Sequence, residues 1–179
     1  MPDSKKQEIM ERYNELGQEL YDLRYTDEQQ SKYAAILGEV PECNLLFDNG
    51  CGTGLLFPLI DCPTVALDLS NGLLEKARDR VEENIYLIQG DSEFLPFRSS
   101  IFDTVASITV IQNLPNPKRL VSESARVTRQ GATVIISSLK RVYSREEISR
   151  LVENDELSVN KIFTSENIND WITVSTRNK

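Results

Sequence analysis

Three glycines at alternate positions of NGCGTG (Gly50, Gly52 and Gly54) follow a short apolar run, and two aspartates end the next two such runs: Asp68 closes TVALD and Asp91 closes NIYLIQGD. Glycine lets a chain turn sharply out of a strand and brings backbone N–H groups close to a ligand at the start of the next element. In a parallel sheet such strand ends share one edge with the glycine loop, where ligands bind. Asp68 lies 18 residues after Gly50, near the offset at which an acidic residue meets a ribose in dinucleotide folds. Two phosphate-binding patterns fit less well. In G-x-G-x-x-G the third glycine comes one residue later, where this chain has Leu55, and the lysine of a phosphate-binding P-loop is missing. Taken singly, the glycines are also explained by a tight turn, and each aspartate by a helix cap or a solvated loop. Their convergence on one sheet edge points to a nucleoside site.

Other chemistries are excluded by composition. The 179 residues contain no histidine, and Cys43, Cys51 and Cys62 are an odd number without metal-ligand spacing, so neither the usual zinc sets nor a Ser-His-Asp or Cys-His centre can be assembled. Cys51 reads as a small residue in the loop, with no base nearby. The chain has 28 acidic and 20 basic residues, a net charge of −8, so its field repels polyanions and stand-alone nucleic-acid binding is not expected. The pairs Lys118-Arg119 and Lys140-Arg141 read as solvated surface. The opening MPDSKKQEIMERY lacks a signal-peptide core, and the longest strongly apolar stretch, Leu55 to Ile60, is far too short for a membrane span and contains Pro58. A cytoplasmic location is expected.

These residues need a scaffold. NLLFD, TVALD, NIYLIQGD, FDTVASI and ATVIISSL read as five buried strands, separated by helical segments that include SNGLLEKARDRV, with Ser70 as N-cap, and NPKRLVSESARVT, with Asn116 as N-cap and Pro117 at the first helical position. Such alternation predicts an α/β, Rossmann-like doubly wound sheet with helices on both faces. Ser144 to Asn154 reads as a capped helix, and LSVNKIFT and DWITVST follow as two further strands, giving about seven in all with an antiparallel last strand. Trp171 is expected to anchor that final strand. Pro58 predicts a short or kinked first crossover helix. Before Pro41 the text is helical and polar. Capping boxes at Ser4/Gln7 and Thr26/Gln29 open helices carrying Ile9, Tyr13, Leu16 and Leu20, then Tyr33, Ile36 and Leu37. One domain over 1–179 is expected, with a helical lid at 1–40 and a cofactor-binding core at 41–179.

LLFDNGCGTG, ALDLS, GDSEFLPF, FDTVASITVIQNL and RQGATVIISSL, in this order, resemble the successive motifs of class I S-adenosylmethionine-dependent methyltransferases, from about Asn44 to Leu139. The resemblance is strongest to the small single-domain group related to ubiquinone and menaquinone biosynthesis. It implies S-adenosylmethionine as cofactor. By that resemblance Asp48 with the backbone of Gly50, Gly52 and Gly54 would face its methionine part, and Asp68 would hold the ribose hydroxyls. Leu69 would lie against adenine, Asp91 would accept from the exocyclic amine with Ser92 beside it, and Ile111 would border the adenine and sulfonium region. YNELGQELYDLRY is similar to the aromatic lead-in that many relatives place over the cofactor. Tyr21 and Tyr25 then belong to a lid, or else to the packed face of a helix.

Departures from the family pattern narrow the activity. Asn49 replaces an apolar residue before the first glycine, and Gln112-Asn113 stand where many relatives have a histidine pair, so no catalytic base is assigned. No NPPY-type tetrapeptide follows the fourth strand, which argues against methylation of adenine N6 or a glutamine amide. The acceptor is open: a small molecule, or a tRNA or translation-factor substrate with a small zinc-binding activator as partner. A non-catalytic S-adenosylmethionine-binding module and an NAD-dependent oxidoreductase are the alternatives.

Overall fold

The apolar runs form one seven-stranded sheet in the computed structural model, which describes residues 6–8, 11, 31–42 and 44–179. The strands are β1 (Leu46–Asn49), β2 (Thr64–Asp68), β3 (Ile85–Gln89), β4 (Phe102–Ser107), β5 (Thr128–Leu139), β6 (Leu157–Phe163) and β7 (Asp170–Arg177). Their spatial order is β3-β2-β1-β4-β5-β7-β6. The five strands from β3 across to β5 are mutually parallel, and β7 runs antiparallel to both β5 and β6. The expected doubly wound sheet with an antiparallel last strand is therefore present. Strand order reverses between β1 and β4, which makes the carboxyl ends of these two strands the topological switch point.

Side chains alternate across the sheet and are covered on both faces. Phe47, Leu67, Val105, Val134 and Ile136 pack with Leu120, Val121 and Ala125 of α2 (Pro117–Val127) and Ile148 and Val152 of α3 (Arg145–Val152). On the opposite face Ala106, Ile135 and Ile172 meet Tyr33 and Ile36 from the helical residues 31–37. Ala66 meets Phe57 together with Leu74 and Ala77 of α1 (Asn71–Ala77). Burying each aliphatic or aromatic side chain of this size stabilises by roughly 1.5–3 kcal/mol relative to leaving it in water.

The expected caps are formed. Ser70 Oγ accepts from Leu73 N at 3.2 Å and Asn116 Oδ1 from Arg119 N at 3.3 Å. Ser144 and Glu147 close a reciprocal capping box at 3.2 and 2.8 Å. Such contacts satisfy N–H groups that the first helical turn leaves without partners. The first crossover reduces to a 3-10 turn, Phe57–Leu59, with Pro58 in its first turn, the short helix that the sequence predicts.

Three features differ from the sequence expectation. β3, expected to be buried, is an edge strand paired only with β2, and its Tyr86 is 57% exposed. β5 begins at Thr128, ahead of the ATVIISSL run. Its register against β4 shifts between Phe102 and Thr104, and Gly131 adopts φ +76° in the irregular stretch. Cys62 is disulfide-bonded, a cross-link the sequence reading did not anticipate, whereas Cys51 is free and buried. Tyr21 and Tyr25, and the stripe Ile9, Tyr13, Leu16 and Leu20, lie outside the described residues. No helix among the described residues is long and apolar enough to cross a membrane.

Candidate cofactor site

At the switch point the glycine loop folds back over the end of β2. Gly50 N and Cys51 N both donate to Leu67 O, at 2.7 and 2.9 Å. Gly50, Gly52 and Gly54 have φ of +94°, +56° and +76°, a region that side-chain-bearing residues enter only at a cost. Space is short as well. A Cβ on Gly50 would lie 2.3 Å from Val110 Cγ2, and one on Gly54 2.4 Å from Phe57 Cε2. Ser107 Oγ donates to Asn49 O at 2.9 Å, tying the end of β4 to that of β1.

Asp68 organises this loop from the end of β2. Its Oδ2 accepts from Gly52 N and its Oδ1 from Ser70 N, both at 2.9 Å. Burial raises the Asp68 pKa, against the opposing pull of these N–H groups. Asp48, on β1, is 3% exposed. Burial, and then the negative charge of Asp68, push its pKa up to about 7, and no hydrogen bond from a described residue counters them. The Cys51 thiol is raised well above its ordinary value by burial and by both carboxylates. It is therefore not a thiolate nucleophile.

The third strand end joins the same edge. Lys6 Nζ meets Asp91 Oδ2 at 2.7 Å and also pairs with Glu93. Asp91 Oδ1 accepts from Glu93 N at 2.9 Å, and the buried Glu93 accepts from Asn116 N at 2.7 Å, fastening this loop to the start of α2. Phe94, 61% exposed, stands between Lys6 and Arg119, whose charges lie 5.3 and 4.9 Å from its ring centroid. Leu69 is half-buried beside Asp68, with its carbonyl accepting from Gln89 Nε2 at 3.2 Å. Ser92 is buried, and Ile111 is fully buried in the core cluster beneath α2. Asp48, the glycines, Asp68, Leu69, Asp91 and Ser92 thus stand along the carboxyl edge of β1 to β3, and Ile111 anchors the turn after β4.

Sequence reasoning missed the polar residues around this edge. Glu93 sat unassigned inside GDSEFLPF, and Glu123 gave no signal, although it accepts from Leu95 N at 2.8 Å. Hydrogen bonds from Arg126 hold the Glu123 carboxyl below its ordinary pKa, and Arg126 Nη1 donates to Phe97 O at 2.8 Å. Asn49 is fully buried, and neither of its side-chain amide atoms has a hydrogen-bond partner among the described residues. An unpaired buried polar group costs about 1–3 kcal/mol, so Asn49→Leu, which keeps the branched heavy-atom skeleton, is expected to stabilise the fold by up to about that amount. Urea unfolding checks this, and an unchanged or lower midpoint would show that the amide is satisfied after all.

The family model described as "Methyltransferase domain" matches residues 47–136, half of the chain and all of β2 to β4. The chain belongs to this family, the class I S-adenosylmethionine-dependent methyltransferases. Malonyl-[acyl-carrier protein] O-methyltransferase of Marinomonas sp. is 30% identical over 188 residues, covering 98% of this chain and 68% of the relative. Demethylmenaquinone methyltransferase of Renibacterium salmoninarum is 35% identical over 104 residues, covering 56% of this chain and 43% of the relative, in line with the resemblance to quinone-biosynthesis methyltransferases. Among solved structures, the complex between the Haloferax volcanii Trm112 methyltransferase activator and a methyltransferase superposes with a TM-score of 0.76 at 17% identity, covering 89% of this chain and 93% of that one. At that identity the likeness shows the fold. The chain spans less than half the length of the first curated relatives it matches.

Proposed function

We propose that this methyltransferase transfers a methyl group from S-adenosylmethionine to an acceptor bound at the switch-point crevice. One observation carries the reading: a buried carboxyl without a hydrogen-bond donor among the described residues, Asp48, stands beside a glycine loop so close-packed that no Cβ fits at Gly50. A cationic amino acid supplies what that carboxyl lacks. When bound, S-adenosylmethionine brings a methyl group already activated by a sulfonium.

Asp48 and the loop of Gly50, Gly52 and Gly54 then hold the methionine end, and Asp68 holds the ribose hydroxyls. Leu69 and Ile111 border the adenine, and Asp91 accepts from its amine beside Ser92. Lys6, drawn to Asp91 across 85 residues of sequence, supports residues 1–40 as a lid in which Tyr21 and Tyr25 cover the crevice, over the core at 41–179. Catalysis rests on proximity and in-line orientation, since the chain offers no histidine base. For a macromolecular acceptor, a small zinc-binding activator protein is the partner proposed. Its support is the likeness to the Trm112-bound fold and the open β3 edge carrying Tyr86.

Titration calorimetry with S-adenosylhomocysteine tests the site. Binding in the micromolar range, roughly −8 kcal/mol, is expected at pH 8. Because burial raises the Asp48 pKa from 3.8 to about 7, this group favours the ligand-free fold most below about pH 4, and that contribution is lost progressively as pH rises from there to 7. The α-ammonium group of the ligand needs the ionised form. Affinity should therefore fall by about tenfold per pH unit below 7, with proton release visible in buffers of different ionisation enthalpy. Neither heat nor a melting shift with either adenosyl ligand, together with a response to NADH, would overturn the proposal.

A further inference from the structure

A closed polar cluster lies behind the turn that follows β4, and the cofactor reading makes no use of it. Lys32, in the helical residues 31–37, is 1% exposed, and Asp170, the first residue of β7, is fully buried. Lys32 Nζ lies 2.9 Å from Asp170 Oδ1 and donates to Thr109 Oγ1 at 2.8 Å. Thr109 Oγ1 in turn donates to Asp170 Oδ2 at 2.8 Å, and Ser137 Oγ donates to the same oxygen at 2.7 Å. Thr109 N completes the circuit by donating to Ser137 Oγ at 2.9 Å. Asp170 pairs with Leu139 at the end of β5, so the cluster shares the sheet edge that carries the glycine loop.

Stability alone is a poor reason for such a pair, because well-packed apolar residues commonly do as well as two buried charges. Directional bonds do something packing cannot. Thr109 has φ +62°, a strained conformation for a β-branched residue that persists only where its surroundings over-determine it. Its hydroxyl and its N–H are all held by the cluster, and its carbonyl accepts from Gln112 Nε2 at 2.5 Å. The next residue, Val110, fills the space over Gly50 that a Cβ would need. The position of the turn therefore sets the seat of the loop's first glycine.

We infer that Lys32 and Asp170 are positioning residues: their pairing holds Thr109 in its left-handed turn so that Val110 seats the glycine loop for the amino-acid end of the cofactor. The inference rests on the cofactor reading above. It couples the segment before the core, and the last strand, to the site through a chain of named contacts.

The test titrates the full chain, its Lys32→Met variant and the Lys32→Met/Asp170→Asn variant with two ligands. S-adenosylhomocysteine carries the amino-acid end, and 5′-methylthioadenosine keeps the nucleoside and thioether without it. The double variant leaves no lone buried charge, so it carries the test if Lys32→Met melts below the assay temperature. Loss of two directional bonds at the turn should weaken S-adenosylhomocysteine about tenfold, with 5′-methylthioadenosine unchanged. Equal weakening of both ligands would mean a role in folding only, and unchanged binding of both would mean no role at the site. Either result overturns the inference. If the unsubstituted protein binds neither ligand, the cofactor reading itself fails and the inference fails with it.

Discussion

Asp68→Ala is expected to weaken S-adenosylhomocysteine by about 1.5–3 kcal/mol, a loss of roughly ten- to 150-fold, the range measured when a hydrogen bond to a charged acceptor is removed. Two effects add. The ribose hydroxyls lose their proposed acceptor, and Gly52 N and Ser70 N, each 2.9 Å from the carboxylate, lose theirs. The second effect loosens the glycine loop even without ligand, so the melting temperature should fall as well. Measuring both quantities separates the roles. A lower melting temperature with unchanged affinity, after correction for folded fraction, would reduce Asp68 to a tie for the loop and remove it from the cofactor site.

Gly50→Ala should destabilise the fold by about 2–6 kcal/mol, combining backbone strain with overpacking. The backbone part arises because φ is +94°. The steric part arises because the new methyl group would meet Val110 Cγ2 at 2.3 Å. Gly131 supplies the control: its φ is +76°, yet a Cβ there meets nothing within 4 Å. Gly131→Ala should therefore cost only roughly 1–2 kcal/mol. Adding Val110→Ala to Gly50→Ala should recover most of the steric part in urea unfolding. If the double variant is no more stable than Gly50→Ala, the clash with Val110 is not what the glycine avoids.

The sequence by itself determined the parts of this protein whose physics is local. Strand and helix runs follow from the spacing of apolar residues, and the caps at Ser70, Asn116 and Ser144 bond to N–H groups three residues on. The site's frame was legible for the same reason. Glycines at a strand exit need particular backbone angles, and an aspartate ending a parallel strand lies at the ligand edge wherever the strand sits in the sheet. The short crossover at Pro58 was legible from that one residue.

Tertiary structure alone decided what depends on partners brought from far along the chain. The run of β3 reads as buried, but burial depends on neighbours, and strand order leaves β3 at an edge with Tyr86 exposed. Lys6 reaches Asp91 across 85 residues, and Lys32 reaches Thr109 across 77. Lysine, threonine and aspartate in polar stretches ordinarily face water, so nothing in their local text marks Lys32, Thr109 and Asp170 as a buried set. Their environment, and with it the charge and hydrogen-bond state of each group, exists only once three distant segments close around the turn after β4.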